Sequence, residues 1–187
     1  MEKIASQIID WIKNYAQQAR VKGLVIGISG GVDSAVVSTL CARTGLPTLC
    51  LEMPIHQAAT HVGRSQEHIN FLRQHFANVT ALSVDLTPTF DTLVAALPPM
   101  EASTREMALA NTRARLRMTT LYYFAGLEGY IVVGTGNKIE DFGVGFFTKY
   151  GDGGVDISPI ADLMKSEVYK LGEYLQVPQS ILKAKPS

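Results

Sequence analysis

The chain has 187 residues, with 17 basic and 17 acidic side chains and 47% apolar residues. This length fits one domain that buries a sizeable core without disulfides or metal ions. Zero net charge argues against a general binder of nucleic acids or membrane surfaces, because such proteins carry a basic excess. Charged residues make up 18% of the chain, below the ~25% of an average soluble domain. This low share is consistent with apolar surface reserved for a partner subunit.

Neither a disulfide framework nor a membrane anchor is predicted. The two cysteines, Cys41 and Cys50, lie in apolar stretches that favour burial, and there is no CxxC pair. The chain does not open on the continuous apolar run of a signal peptide. No window approaches the ~18 consecutive apolar residues that a membrane span needs. We therefore expect a cytoplasmic globular protein with no nucleic-acid or membrane partner.

The predicted elements alternate between helices and strands in chain order. An amphipathic first helix is predicted by apolar residues at three- and four-residue steps, namely Ile4, Ile8, Trp11, Ile12 and Tyr15. Short apolar runs predict a strand buried on both faces at 24–28 and another buried strand at 130–133. Further strands are predicted at 48–53 and near 79–84. The intervening segments predict helices over 35–43, about 63–75, after Pro88, over 103–126, and over about 165–175. Ser103 and Glu106 have the spacing of a capping box at the start of the long helix.

Strands that alternate with helices indicate βα units around a parallel sheet. No repeat, low-complexity tract or linker divides the chain. We therefore predict an α/β fold, a doubly wound parallel sheet with helices on both faces, in a single domain over residues 1–187.

A candidate phosphate-binding loop, Ser29-Gly30-Gly31-Val32-Asp33-Ser34, joins the first buried strand to the next helix. The two glycines allow φ > 0 and close approach of backbone N–H groups to a ligand, and the helix N-terminus favours an anion. The hydroxyls of Ser29 and Ser34 add donors. Asp33 fits such a site if it holds a Mg²⁺ ion that also contacts the phosphates. The alternative is an ordinary helix start capped by Ser29.

Three later segments carry further candidate chemistry. The long helix contains Asn111-Thr112-Arg113-Ala114-Arg115-Leu116-Arg117-Met118, whose arginines suit either an anionic ligand or a solvated face. Glu140 follows the fourth strand, where ligands bind in doubly wound sheets. It would lie near Asp33 if the two strands are neighbours; otherwise it is a surface glutamate. The stretch from Phe146 to Asp156 combines aromatics, Lys149 and several glycines, which suits a nucleotide or a glycine-rich hairpin.

The histidines do not predict a metal site. His61, His68 and His75 are seven residues apart, and such spacing separates them by roughly 10.5 Å along a helix. One ion, with histidine ligands at roughly 2 Å, cannot reach two of them. We expect a polar stripe on this helix.

The motifs resemble the ammonia-dependent NAD synthetase family, within the N-type ATP pyrophosphatase superfamily. The resemblance covers nearly the whole chain from Gly27 onward. Its strongest matches are GISGGVDS at 27–34, NTRARLRM at 111–118, GTGNKIE at 134–140 and FFTKYGDGGVD at 146–156. It implies the adenine nucleotide alpha hydrolase-like form of the Rossmann-like fold.

The resemblance also implies a role for individual residues. ATP would be bound by Gly27, Ile28, Ser29, Gly30, Gly31, Val32, Asp33, Ser34, Thr135, Lys165 and Ser187. Mg²⁺ would be bound by Asp33 and Glu140. Deamido-NAD would be bound by Arg115, Lys149 and Asp156. No nucleophile or base is implied, and Ser29, Ser34 and Lys165 would stabilise charge.

The implied reaction is the ATP- and Mg²⁺-dependent amidation of deamido-NAD with ammonia. It gives NAD, AMP and pyrophosphate through an acyl-adenylate. Ammonia is the expected donor because the chain has no room for a glutaminase domain, although a separate glutaminase subunit is left open as an alternative. The family also implies a homodimer.

Two other interpretations stay open at this point. One is another adenylating ATP pyrophosphatase, for example one like GMP synthetase. The other is a nucleotide-binding core that is inactive without its C-terminal tail. The chain ends at Lys185-Pro186-Ser187, whereas the family continues with a tail that closes over the substrates. We therefore expect a domain that lacks this tail.

Overall fold

In the computed structural model, residues 1–57, 59–99, 103–145 and 147–184 are described. Their four strands are β1 (Gly23–Gly27), β2 (Thr48–Glu52), β3 (Val79–Ser83) and β4 (Tyr130–Val132). They form one parallel sheet in the order β3-β2-β1-β4. The chain thus crosses from one side of β1 to the other, which makes the gap between β1 and β4 a topological switch point.

Seven α-helices lie in the described residues. They are α1 (Glu2–Gln18), α2 (Val32–Arg43), α3 (Ala59–His75), α4 (Thr87–Ala96), α5 (Arg105–Glu128), α6 (Lys165–Tyr174) and α7 (Gln179–Leu182). A π-helical turn spans Ile139–Val144. The predicted helices are confirmed to within a few residues at most ends, whereas α7 and the π-helical turn were not predicted.

Both faces of the sheet are covered, as predicted. Leu24 and Ile26 of β1 pack into one apolar cluster with α1, α2, α3, α6 and α7. Val25 lies in a second cluster, on the opposite face, with α4 and α5. Alternate residues of a strand point to opposite faces, so β1 supplies both cores. Helix α2 is buried along almost its whole length. Its buried polar residues, Ser34, Ser38 and Thr39, all make hydrogen bonds.

The capping box predicted at Ser103 and Glu106 is wrong. Helix α5 begins at Arg105, and its N-cap is Thr104, whose side chain makes no capping hydrogen bond. Glu106 is therefore the second helical residue, and a capping box needs its acidic residue at the third.

The inner face of α1 is narrower than predicted. Its buried residues are Ala5, Ile12 and Ala16, whereas Trp11 is 45% exposed and Tyr15 is 38% exposed. Small side chains at Ala5 and Ala16 let the helix approach its neighbours closely, so the bulkier rings stay at the rim. There the two aromatic rings pack against each other, with their centroids 5.9 Å apart.

His68 is buried, so the predicted polar histidine stripe is wrong at this position. Its Nε2 atom lies 2.8 Å from Ser38 Oγ, and Ser38 Oγ donates to Ser34 O at 2.7 Å. Because the Ser38 hydroxyl already donates its hydrogen to Ser34 O, Nε2 of His68 carries a proton and donates it to Ser38 Oγ. Nδ1 then lacks a hydrogen-bond partner among the described atoms. Burial lowers the pKa of His68 to about 4. His75 is exposed.

The predicted burial of both cysteines is confirmed. Cys41 and Cys50 are free and buried, and burial raises the pKa of both thiols, to about 12 for Cys50. Unreactive thiols of this kind serve as small apolar side chains. None of the described helices combines the length and the apolar character that a membrane-spanning helix requires.

His68 predicts a loss of stability in mild acid. The unfolded chain binds a proton at this side chain near pH 6.5, whereas the folded chain resists it until about pH 4. The free energy of unfolding should therefore fall as the pH drops from 6.5 to 4, by at most about 3 kcal/mol from this group. Urea denaturation across this range measures the change. His68→Leu should flatten the slope, and His75→Gln should retain it; equal slopes in all three proteins would contradict the assignment.

Candidate active site

The phosphate loop begins directly at the end of β1. Ile28 N donates to Leu51 O at 2.8 Å, which ties the start of the loop to β2. Gly30 has φ +80°, a conformation that favours glycine. Gly31 has φ −94° and ψ 161° and is the N-cap of α2. Only the first of the two glycines therefore uses the left-handed region.

The serines of the loop hold its shape. Ser34 Oγ donates to Gly31 O at 3.0 Å and lies 3.1 Å from Ser29 Oγ. Ser29 Oγ accepts from Gly31 N at 3.2 Å. Ser29 does not cap α2, and no side chain in the described part of the chain caps the first N–H groups of this helix. Such a helix N-terminus binds anions.

Two carboxylates meet at one ammonium group beside this loop. Lys165 Nζ lies 2.5 Å from Asp33 Oδ2 and 3.0 Å from Glu140 Oε1. Asp33 is in the first turn of α2, Glu140 is in the π-helical turn, and Lys165 is the first residue of α6. β1 and β4 are neighbours, which places the segments that follow them at the same edge of the sheet. The expected proximity of Asp33 and Glu140 is thus confirmed.

The positive charge of Lys165 is offset by these two carboxylates. Burial acts to lower the pKa of Lys165, and the hydrogen bonds and charges of Asp33 and Glu140 outweigh it and raise the pKa. The ammonium therefore stays charged, and the two carboxylates define a position that suits a cation.

A second group of predicted residues lies along α5. Arg115 Nε donates to Lys149 O at 3.3 Å, and Lys149 Nζ lies 5.1 Å from the centre of the Tyr150 ring. Asp156 is held separately: Oδ2 accepts from Val132 N at 2.7 Å and Oδ1 accepts from Tyr122 O–H at 3.0 Å. Arg115 and Tyr122 are seven residues apart on one side of α5, so all three predicted residues border that side of the helix.

The glycine-rich loop, residues 147–156, packs tightly against α5. It is a series of turns and not a hairpin. A Cβ atom at Gly151 would lie 2.8 Å from Thr148 Cγ2 and 3.0 Å from Ala114 Cβ. Thr148 Oγ1 donates to Asn111 Oδ1 at 2.8 Å, and Thr148 N donates to Asp152 Oδ1 at 2.8 Å. These contacts explain why a glycine is needed here. Phe146 and Ser187 lie outside the described residues.

A cavity of about 570 Å³ separates the phosphate loop from the glycine-rich loop. Its wall contains residues from both loops and a mostly apolar face of α5. The phosphate-loop side includes Gly27, Ile28, Ser29 and Thr135, the glycine-rich side includes Thr148, Gly151 and Asp152, and α5 contributes Met107, Ala110, Asn111, Ala114, Arg117, Met118 and Leu121. A cavity of this size, apolar with a few polar groups, is typical of small-molecule sites.

The sequence and the fold of this chain are similar to those of known proteins. The NAD synthase family model matches residues 4–187. The chain is 37% identical over 193 residues to the NH(3)-dependent NAD(+) synthetase of Carboxydothermus hydrogenoformans, and this match covers 100% of the chain and 75% of the relative. The chain belongs to the NAD synthase family.

Solved structures of the NAD synthase family share the fold. An NMN synthetase from Francisella tularensis superposes with a TM-score of 0.92 at 35% identity, covering 100% of this chain and 75% of that one. The NH3-dependent NAD synthetase from Campylobacter jejuni gives 0.86 at 30% identity, covering 97% and 76%. Both likenesses confirm the Rossmann-like fold of the adenine nucleotide alpha hydrolases.

The residues present fit the magnesium ion expected from the resemblance to the NAD synthase family. Mg²⁺ is usually bound by one or two carboxylates together with substrate phosphates. Asp33 and Glu140 converge beside a phosphate loop. Among the residues that the structure describes, no group of three His, Cys, Asp or Glu side chains gathers into a metal cage. This donor set would leave room for phosphate oxygens and water.

Three site residues carried no assigned role in the sequence analysis. Arg117 lies on the cavity wall and donates from Nε to Met53 O at 2.9 Å. Burial and the nearby charge of Arg113 lower the pKa of Arg117. Arg117 has no carboxylate partner among the described residues. Tyr122 holds Asp156, and Asn137 holds Asp33. The NTRARLRM and GTGNKIE motifs contain Arg117 and Asn137, but only packing shows what they contact.

The shared ammonium predicts a measurable contribution to stability. Lys165→Met should lower the free energy of unfolding by about 1–3 kcal/mol, because the two partly buried carboxylates lose their common counter-ion. Asp33→Asn in the same background should restore part of the loss. Urea denaturation without ATP measures both effects. Lys170→Met, at an exposed lysine of the same helix, is the control; an equal loss in that variant would contradict the prediction.

Proposed function

We propose that this chain catalyses the ATP-dependent amidation of deamido-NAD with ammonia, which gives NAD, AMP and pyrophosphate. Relatives at 37% and 40% identity are named NH(3)-dependent NAD(+) synthetases. The observation that carries the proposal is the convergence of Asp33, Glu140 and Lys165 beside an uncapped phosphate loop. That arrangement fits the triphosphate of ATP together with a cation.

The reaction proceeds in two displacements. In the first, an oxygen of the nicotinate carboxylate attacks the α-phosphorus of ATP, and the bond between the α-phosphorus and the bridging oxygen breaks to release pyrophosphate. In the second, ammonia attacks the carbonyl carbon of the acyl-adenylate. AMP leaves, and the nitrogen loses one proton to give the amide. Neither step needs a protein nucleophile, so alignment and charge neutralisation are the main tasks of the protein.

The phosphate loop has the groups for the first of these tasks. The N–H groups at the start of α2 and the hydroxyls of Ser29 and Ser34 would donate to phosphate oxygens. Thr135 borders the cavity from the end of β4 and would contact ATP from the other side. Lys165 adds the positive charge that stabilises the leaving pyrophosphate. We keep the whole predicted set, Gly27 to Ser34 with Thr135, Lys165 and Ser187, as the proposed ATP site.

Asp33 and Glu140 are the proposed ligands of Mg²⁺. When bound, the ion would neutralise negative charge on the phosphates and hold them in one geometry. The two carboxylates come from α2 and from the π-helical turn after β4. Their separation therefore depends on the packing of these elements at the switch point, and their own role is to hold the cation beside the loop.

Arg115, Lys149 and Asp156 are the proposed ligands of deamido-NAD. The two cations suit its phosphates. The Asp156 carboxylate already accepts two hydrogen bonds, and a carboxylate offers about four acceptor positions. It thus retains capacity for ribose hydroxyls. The cavity between this group and the phosphate loop would bring the two substrates together.

A second candidate is the amidation of nicotinate mononucleotide to NMN. It is favoured by the TM-score of 0.92 and the 35% identity to a protein described as an NMN synthetase. The chemistry at the carboxylate is identical in the two reactions. The substrates differ in the adenylyl group, which only deamido-NAD carries.

Ammonia is the proposed donor, and a separate glutaminase subunit is the alternative. A homodimer is proposed from the resemblance to the family, with α1 and α5 as candidate interfaces because Trp11, Tyr123 and Leu127 are exposed there. Sedimentation of the purified chain measures its oligomeric state. A cytoplasmic location is part of the same proposal, because ATP is supplied there.

Removal of the Asp33 carboxylate should abolish the reaction. We expect Asp33→Asn to form no AMP above background with ATP, Mg²⁺, deamido-NAD and ammonium, because the cation loses a ligand. The variant should keep the circular dichroism spectrum of the parent. Asp10→Asn, at an exposed residue of α1, should retain full activity. Parental turnover by Asp33→Asn would refute the metal site.

Competing substrates distinguish the two candidate reactions. We expect kcat/KM to be higher for deamido-NAD than for nicotinate mononucleotide by at least ~10-fold, from contacts of the adenylyl group. Lys149→Met should raise the KM for the preferred substrate, since it removes a cation from the phosphates, and should leave the KM for ATP unchanged. Liquid chromatography of NAD and NMN measures both rates. A preference for the mononucleotide would favour the second candidate.

A further inference from the structure

A fully buried asparagine lies between the two proposed metal ligands. Asn137 is 0% exposed, and its Nδ2 atom donates to Asp33 Oδ1 at 2.9 Å. Its Oδ1 atom accepts from Ile139 N at 3.1 Å and from Glu140 N at 3.2 Å. One side chain is therefore bonded both to the first carboxylate and to the backbone that carries the second.

We propose that Asn137 is a positioning residue that fixes Asp33 and Glu140 at the spacing that the bound cation requires. The inference rests on the proposed Mg²⁺ site and deepens it, since Asn137 itself is not a ligand. Groups that orient metal ligands through hydrogen bonds typically change metal affinity by roughly 10–100-fold when they are removed.

The orientation of the amide follows from its partners. Backbone N–H groups only donate, so the atom that faces Ile139 and Glu140 must be the oxygen. The amide nitrogen therefore faces Asp33 and needs an acceptor there, which an ionised carboxylate provides. Asp33 Oδ1 is thereby engaged by Asn137, while Oδ2 is the atom that faces the cation position now filled by Lys165 Nζ. The asparagine thus selects which carboxylate oxygen is presented.

The contacts form a closed circuit. It runs from Asn137 to Asp33, from Asp33 to Lys165, from Lys165 to Glu140, and from the Glu140 backbone N–H back to Asn137. A shift of the Asp33 carboxylate would break two of these hydrogen bonds, and a shift of the Glu140 carboxylate would break the one to Lys165. The hydrogen bonds of Asn137 do not involve Lys165, so they can persist while the cation between the carboxylates changes from an ammonium to a metal ion.

Few other side chains could make both contacts. Aspartate would accept from the backbone but would place a second negative charge against Asp33. Serine and threonine accept from backbone N–H groups as helix N-caps but are too short to reach Asp33 as well. Serine at position 137 therefore separates the two contacts: it retains the turn and removes the hydrogen bond to the ligand.

The test measures Mn²⁺ binding by electron paramagnetic resonance in the presence of α,β-methylene-ATP, so that no turnover is needed. We expect Asn137→Ser to weaken Mn²⁺ binding by at least ~10-fold, with a urea midpoint close to that of the parent protein. Asn137→Ala should weaken binding and also lower the midpoint, because the backbone N–H groups of Ile139 and Glu140 lose their acceptor. If Asn137→Ser does not fold, Asn137→Thr provides the same hydroxyl acceptor.

Asn78→Ser is the matched control. Asn78 donates to Ala42 O and Leu46 O, away from the site, so its loss should lower stability and leave Mn²⁺ binding unchanged. Parental Mn²⁺ affinity in Asn137→Ser, or an equal loss in Asn78→Ser, would overturn the role of Asn137 alone. Failure of the parent protein to bind Mn²⁺ with the nucleotide analogue would overturn the metal site together with this inference.

Discussion

The site is organised around the mutual repulsion of two carboxylates that the fold forces together. Asp33 and Glu140 follow adjacent strands of a parallel sheet, and parallel strands end at the same edge. Like charges in a partly buried place need a counter-ion. Lys165 supplies it from the first residue of α6. The docking of that helix is therefore as important to the site as the phosphate loop itself.

The packing of α6 explains how the ammonium reaches its position. A Cβ atom at Gly172 would lie 2.9 Å from Leu182 Cδ2 and 3.3 Å from Val36 Cγ2. The lack of a side chain lets α6 approach α2 closely. Because α2 carries Asp33 and α6 carries Lys165, this contact sets the distance between the two charged groups. The apolar packing of α6 against α2 therefore determines where Lys165 lies relative to Asp33 at the edge of the sheet.

The two proposed substrate sites have different structural supports. The phosphate loop and Asp33 are carried by β1 and by α2, which is almost fully buried. Glu140 follows the neighbouring strand β4, so this part of the site has a rigid support. Arg115 and Lys149 lie outside, on α5 and on a glycine-rich series of turns that meets it. The cavity between them borders both supports. The proposed transfer of an adenylyl group from ATP to the carboxylate of a second anionic nucleotide needs such a shared space, since both substrates must be aligned at one phosphorus atom.

Local patterns in the sequence predicted the parallel sheet, the strand ends, the phosphate loop and the proximity of Glu140 to Asp33. These features depend on residues close in the chain and on the common edge of parallel strands. Tertiary packing alone decided the burial of His68, the exposure of Trp11, the carboxylate partners of Lys165 and the role of Asn137. Each of these depends on a side chain more than twenty residues away or on which flank of a helix meets the core, and neither is encoded in a short window of sequence.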